Sequence, residues 1–144
     1  MSETHKPFRP LIVITGVVVG MFVLSAIRKA NEPKDNIPWR KDLSAARAES
    51  VATHKPLFVY FTATWCGPCQ EMKGQTFADK RVEERLSQSV IPVKIDVDDQ
   101  PQVAMEFGVN GIPQMDLLPL GPAERSTRVG FTSADELLHW LSGS

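Results

Sequence analysis

The chemistry of this chain centres on two cysteines, Cys66 and Cys69, which are the only ones among its 144 residues. They lie two residues apart in the stretch WCGPC. Such a pair could form a structural disulfide, bind a metal or exchange disulfides with another molecule. A zinc site needs about four ligands, and the histidines (His5, His54 and His139) are distant from the pair in sequence. The residues themselves therefore argue against a metal centre.

Composition bounds the remaining possibilities. The chain is long enough for one domain with an appendage, and its 42% apolar residues are ordinary for a globular protein. The net charge is −1, and no basic stripe with interleaved aromatic residues indicates a nucleic-acid partner. Seven of the Lys and Arg residues fall within residues 1–41, against three acidic residues there. The N-terminal part is thus basic and the remainder acidic.

The N-terminal part predicts a membrane anchor. Residues 1–10 form a polar tail, and the 17 residues that begin at Leu11 and end at Ile27 carry no charge. As a helix they would be about 26 Å long, close to the ~30 Å hydrocarbon core of a bilayer. We assign residues 11–28 as a single transmembrane anchor, with a cleaved signal peptide as the alternative. No A-x-A motif closes the segment. Residues 29–41, with two prolines and no hydrophobic period, are assigned as a linker.

A soluble α/β domain is predicted over residues 42–144. Asp42 can cap a first helix, and the apolar run LFVYFT at residues 57–62 indicates a buried strand. Helical, strand and helical segments follow, then a predicted hairpin and a last helix that opens with a capping box at residue 133. The order α-β-α-β-α-β-β-α predicts one mixed sheet with helices on both faces.

In this plan the cysteines lie where the first strand turns into a helix. A thiol at a helix N-terminus is stabilised as the thiolate, which lowers its pKa from about 8.5 toward neutrality. Cys66 could then attack a substrate disulfide, and Cys69, one turn later, could resolve the mixed disulfide. Gly67 would allow a partner chain to approach closely, and Pro68 fixes φ and lacks an N–H.

Residues 42–144 resemble the thioredoxin family, through WCGPC after a strand such as LFVYF and through Gly111-Ile112-Pro113. The resemblance implies a thioredoxin fold, thiol–disulfide oxidoreductase activity and no cofactor beyond the cysteine pair. It implies a cis-proline at Pro113 facing the cysteines, with Ile112 and Gln114 beside it in a substrate groove. It also implies that Lys94 lies near the pair and that Trp65 shields it.

One position departs from the family pattern. Many thioredoxins carry a buried acid six residues before the first cysteine, where this chain has Tyr60. Proton handling at Cys69 would then fall to water, Lys94 or another group.

These observations lead to a functional hypothesis with alternatives. The chain is expected to be a reductant of protein disulfides, tethered to the bacterial inner membrane, facing the periplasm and supplied by an upstream thiol–disulfide donor. The charges that flank residues 11–27 do not settle the orientation. A cytoplasm-facing thioredoxin, or a binding or chaperone module with a non-catalytic cysteine pair, are the alternatives.

Overall fold

The computed structural model describes residues 16–24, 35–122 and 124–143. The chain divides into two units, Met1–Glu32 and Pro33–Ser144. In the first, residues 16–24 are helical (α1). Within the described ranges no helix is both long and apolar enough to cross a bilayer. The predicted anchor, residues 11–28, lies outside the described residues at both of its ends, as do the tail of residues 1–10 and residues 29–34 of the predicted linker.

The second unit contains five helices and four strands among its described residues. In chain order they are α2 (Leu43–Thr53), β1 (Leu57–Thr62), α3 (Gly67–Gly74), α4 (Lys80–Ser89), β2 (Ile91–Asp96), α5 (Pro101–Glu106), β3 (Gln114–Leu118), β4 (Ser126–Val129) and α6 (Ala134–Ser142). The predicted strand at residues 57–62 is confirmed residue for residue. The other predicted elements are present with ends that differ by at most two residues.

Three helices begin where the sequence places a cap. The carboxylate of Asp42 accepts a hydrogen bond from the N–H of Ala45 at the start of α2, and Asp79 does the same for Arg81 at the start of α4. Ser133 and Glu136 form the predicted capping box of α6, in which each side chain bonds the other residue's backbone N–H.

The four strands form one mixed sheet in the order β2-β1-β3-β4. β1 and β2 are parallel, so that Tyr60 lies opposite Lys94, whereas β3 is antiparallel to both β1 and β4. The predicted crossover and hairpin are therefore confirmed. β1 is central and buried along its whole length, which explains its continuous apolar sequence.

Alternate residues of β1 enter two cores, one on each face of the sheet. Phe58 and Tyr60 join side chains from α3, α4 and α6 in the first core. Val59 and Phe61 join side chains from α2 and α5 in the second. The cysteine pair lies just beyond the end of β1, so both cores hold the strand that positions it.

Residues 35–40, called the strap below, pack against the domain. Arg40 forms a parallel bridge with Val93 of β2, donating its N–H to the Pro92 carbonyl at 2.9 Å. Ile37 is 6% exposed and belongs to the first core. The folded unit thus begins before Asp42, inside the predicted linker of residues 29–41. The physical reason is that β2 is an edge strand, which offers backbone groups to any neighbouring segment.

Candidate active site

The cysteine pair occupies the junction between β1 and α3. Cys66 is the N-cap of α3, with extended φ and ψ of −80° and 104°, and Gly67 and Pro68 form the first helical positions. A disulfide joins Cys66 to Cys69, with an S–S distance of 2.06 Å and a Cα–Cα distance of 5.2 Å. The Cys66 sulfur also accepts a hydrogen bond from the N–H of Cys69 at 3.2 Å. An N–H aimed at this sulfur favours negative charge on it when the disulfide is reduced.

Both sulfurs lie in an apolar setting. Cys66 is 4% exposed and Cys69 2% exposed, and they cluster with Ala63, with Val97 and Ile112 packed against them. The two side chains thus differ little in exposure. A substrate disulfide must therefore approach the small exposed part of Cys66.

One of those loops carries the predicted cis-proline. The Ile112–Pro113 peptide bond is cis, and Ile112 packs against the cysteine cluster. The Pro113 carbonyl accepts a hydrogen bond from the N–H of Gly130 at 2.8 Å. Gly130 has a φ of 96°, which a residue with a side chain rarely adopts. The structure thus brings the loop of residues 111–113 beside the disulfide, as expected from the sequence.

Trp65 lies at the surface next to Cys66 and is 68% exposed, and the shielding role expected of it stays a prediction. Its indole N–H donates a hydrogen bond to the Asp98 carboxylate at 2.7 Å. Asp98 follows β2 at the carboxyl edge of the sheet, and its own N–H bonds to the Asp96 carboxylate at 3.0 Å. The ring is therefore fixed by a polar tether while its face remains open to a partner.

Tyr60 lies in the first core beneath the second cysteine. Its side chain is 1% exposed, and its hydroxyl donates to the carbonyl oxygen of Cys69 at 3.4 Å. Burial raises the pKa of the Tyr60 phenol to about 12. Tyr60 is consequently a neutral hydrogen-bond donor across the physiological range, unlike the acid that many family members carry there.

Lys94 lies on β2 opposite Tyr60, but its ammonium group faces Trp39, 6.0 Å from the ring centroid. Lys94 and Trp39 line a cavity of about 260 Å³, together with Thr62, Asp96 and other polar side chains. Lys94 therefore interacts with the strap, and no contact found among the described residues joins it to either sulfur.

Gln114 follows the cis-proline, and its side chain lies on the face of the sheet that carries the second core. It is 3% exposed, and its amide donates to the buried carboxylate of Asp116 at 2.8 Å. The same carboxylate accepts from the Thr127 hydroxyl and lies 3.3 Å from Arg125. The Gln114 amide is thus engaged by Asp116, and its predicted place in the substrate groove stays a prediction.

The comparisons with known proteins agree with this geometry. The thioredoxin family model matches residues 42–143. This chain belongs to the thioredoxin family. A thioredoxin from Rickettsia felis is 29% identical over 101 residues, which cover 70% of this chain and 92% of that protein. A thioredoxin-like protein from Synechocystis is 36% identical over 96 residues, or 65% of this chain and 87% of that protein. The solution structure of a Thermus thermophilus thioredoxin, at 24% identity, covers 74% of this chain and 85% of its own with a TM-score of 0.66.

Family and geometry together define the chemistry of this thioredoxin-like chain. It is a thiol–disulfide oxidoreductase whose redox-active group is the Cys66–Cys69 disulfide. In the part of the chain that the structure describes, no three potential metal-ligating side chains come together. The expected fold, a mixed four-stranded thioredoxin sheet flanked by helices, is confirmed.

Two residues at this site were not predicted. Asp98 belongs to the acidic run after β2, and its position at the carboxyl edge of the sheet was a usable signal. Trp39 lies in the predicted linker, and its sequence context does not decide between a membrane interface and the domain. It docks on the domain, where its ring contacts Phe58, Tyr60 and Phe77.

Proposed function

We propose that this thioredoxin-fold protein reduces protein disulfides while tethered to the bacterial inner membrane, with its catalytic domain in the periplasm. The observation that carries the reaction is the Cys66 sulfur at the N-terminus of α3, which accepts an N–H and lies beside the cis-proline loop. The exposed ring of Trp65 adds an apolar contact surface next to the same sulfur.

The proposed cycle balances in two exchange steps. The Cys66 thiolate attacks one sulfur of the substrate, so that a Cys66–substrate disulfide forms while the substrate S–S bond breaks and releases a thiolate. Cys69 then loses its proton and attacks the Cys66 sulfur, which forms the Cys66–Cys69 disulfide and releases the second substrate thiolate. The protein dithiol is oxidised by two electrons, and the substrate is reduced by two.

The extended backbone of the substrate would lie along residues 112–113. Recognition by backbone pairing suits a protein that acts on many disulfides, because main-chain hydrogen bonds do not depend on the substrate's sequence. Ile112 supplies an apolar contact beside the sulfurs. In this proposal Gln114 stabilises the start of β3, next to the loop, because its amide donates a hydrogen bond to Asp116.

The direction of reaction is tested by the reduction potential. The dipeptide Gly67-Pro68 resembles that of reducing thioredoxins, so equilibration with glutathione buffers should give a value near −270 mV. A value near −120 mV would instead identify an oxidant. Reduction in the periplasm further requires re-reduction of the pair by an upstream dithiol, for which we propose a membrane thiol–disulfide transporter.

Cysteine variants test the enzymatic role against a binding role. Cys66→Ala should abolish reduction of a disulfide-containing protein such as insulin, whereas Cys69→Ser should accumulate a mixed disulfide that dithiothreitol releases. Retention of full cellular activity by Cys66→Ala would favour a binding or chaperone module.

The membrane location rests on the uncharged residues 11–27 and needs its own test. A reporter thiol can be introduced as Gln102→Cys, at an exposed position of α5, with Cys66 and Cys69 both changed to Ser. Labelling by a membrane-impermeant reagent in intact cells would support a periplasmic domain; labelling only after lysis would support a cytoplasmic one. Loss of membrane sedimentation on deletion of residues 11–27 would establish the anchor, whereas retained sedimentation would exclude it.

A further inference from the structure

The strap reaches the redox site through a group of aromatic rings. The centroid of the Trp39 ring lies 5.8 Å from that of Tyr60 and 5.2 Å from that of Phe77. Tyr60 and Phe77 complete the triangle at 4.8 Å. These spacings fall in the range of favourable aromatic pairs. Trp39 is therefore part of the wall that fixes the position of the Tyr60 ring.

Trp39 is itself anchored from several sides. Its indole N–H donates to Asp35 at 2.9 Å, and Lys94 lies over its ring. The backbone of the next residue, Arg40, bridges to β2. At the other end of the strap, the N–H of Asn36 donates to Glu83 of α4 at 2.8 Å. The ring is held at both ends of a short segment and has little freedom to move away from Tyr60.

Tyr60 transmits this position to the second cysteine. Its hydroxyl donates to the carbonyl of Cys69, which lies in the first turn of α3 and carries the resolving sulfur. Cys66 is held separately, as the N-cap that follows β1. A contact that holds the Cys69 backbone near β1 therefore limits how far the two sulfurs can move apart in the dithiol form.

We propose that Trp39 and Tyr60 are positioning residues for the Cys66–Cys69 pair, and that the strap is a working part of the redox site. Forming the disulfide within the chain depends on the effective concentration of one thiol at the other, which pre-organisation increases. Loosening Cys69 lowers that effective concentration, so the oxidised form becomes less favoured. The inference rests on thiol–disulfide exchange by the pair, and it is independent of substrate, direction and membrane location.

The test compares matched variants of the full chain. Tyr60→Phe removes only the hydroxyl, and Trp39→Leu removes the ring that packs on Tyr60. Trp140→Leu is the control, because Trp140 also packs on Phe58 and donates its indole N–H, here to Ser126 at 2.9 Å. Trp140 belongs to the same core as Tyr60, and the ring pair found for it joins it to Phe58.

The readout is the equilibrium constant for oxidation of the pair by glutathione disulfide, measured with the pH profile of Cys66 alkylation and the melting temperature. Tyr60→Phe should lower the oxidation constant about two- to fivefold, as expected for one long hydrogen bond. Trp39→Leu should lower it about two- to tenfold. Trp140→Leu should lower the melting temperature and leave the oxidation constant within twofold of wild type.

The double variant decides whether Trp39 acts through Tyr60. In the Tyr60→Phe background, Trp39→Leu should change the oxidation constant less than it does in wild type. An unchanged constant in both single variants, or an equal effect from Trp140→Leu, would overturn the proposal. If Trp39→Leu does not fold, Trp39→Phe and Tyr60→Phe carry the same comparison. A wild-type pair that does not exchange with glutathione at all would contradict the enzymatic assignment itself.

Discussion

The titration of Tyr60 offers a direct check on the environment of the second cysteine. Tyr60 is the only tyrosine in the chain, so the absorbance of tyrosinate reports this one group. Burial raises its pKa from 10.0 to about 12, and the charge of Asp35 acts in the same direction, while a hydrogen bond with Thr62 partly opposes them. Folded protein should therefore show almost no tyrosinate at pH 10.

The shift also predicts how stability depends on pH. Because the pKa is higher in the folded chain than in the unfolded one, the neutral phenol stabilises the fold fully below pH 10. That contribution is lost as the pH rises from 10.0 toward about 12. A shift of this size corresponds to about 3 kcal/mol, since one pKa unit is about 1.4 kcal/mol. Tyr60 is 1% exposed, so solvent screening reduces this value little.

The assay is a spectrophotometric titration of native protein, with circular dichroism at each pH to confirm that the chain is folded. Chain unfolded in guanidinium should titrate near the ordinary value of about 10, and Tyr60→Phe should show no transition. Denaturant unfolding between pH 9 and 12 should reveal a slope in wild type that Tyr60→Phe lacks. A native titration midpoint near 10 would refute the conclusion that Tyr60 is a buried, neutral donor.

Three other contacts give separate predictions. A hydrogen bond from Arg40 lowers the pKa of Glu49, so wild type should exceed Glu49→Gln in stability by up to about 1 kcal/mol near neutral pH. That advantage should disappear in urea titrations as the pH falls below 4.5 through the lowered pKa. Ser133→Ala removes the capping box of α6 and should cost about 0.5–2 kcal/mol in urea unfolding, whereas Ser133→Asp should retain most of it. Asp116→Ala leaves the buried Gln114 amide without its acceptor and should cost about 2–4 kcal/mol; a cost below 1 kcal/mol would contradict that account.

The elements that local signals specify were predictable from sequence. β1 is a run of β-formers closed by Lys55-Pro56 on one side and by the cysteine motif on the other. The caps at Asp42 and Ser133 place helix starts within one residue. Each of these signals lies within a few residues of the feature that it determines, so no tertiary information was required.

The docking of the strap could not be predicted in the same way. Ile37 and Trp39 are two residues apart in a proline-containing segment that is too short for a hydrophobic period. Their burial depends on an open edge at β2 and on a gap beside Tyr60, which exist only after the sheet has formed. A segment that resembles a linker in composition can thus belong to the domain, because composition does not report which distant surface is free.

The side chain of Gln114 illustrates a different limit. Its neighbour Pro113 lies at the site, so the sequence suggested that Gln114 faces the same groove. Successive residues of a strand point to opposite faces, and the buried carboxylate of Asp116, two residues along β3, lies on the same face as Gln114. The contact between Gln114 and Asp116 follows from this alternation, but a buried acid at position 116 was not expected from the sequence.

Cys69 must lose its proton before it attacks the mixed disulfide, and Tyr60 is the buried group next to it. Tyr60 remains protonated up to about pH 12, so it cannot accept the Cys69 proton at physiological pH. The exchange reaction does not require a resident base, because each turnover converts one Cys69 thiol to a disulfide and also creates substrate thiolates that take up protons. Solvent can carry protons from Cys69 to the substrate thiolates. The cavity lined by Lys94 and Asp96 also provides polar groups near the end of β1. At this position a phenol acts as a hydrogen-bond donor that stays neutral, whereas a buried acid could take up and release a proton. In our proposal, Tyr60 and the strap therefore act on the redox pair through the position of Cys69.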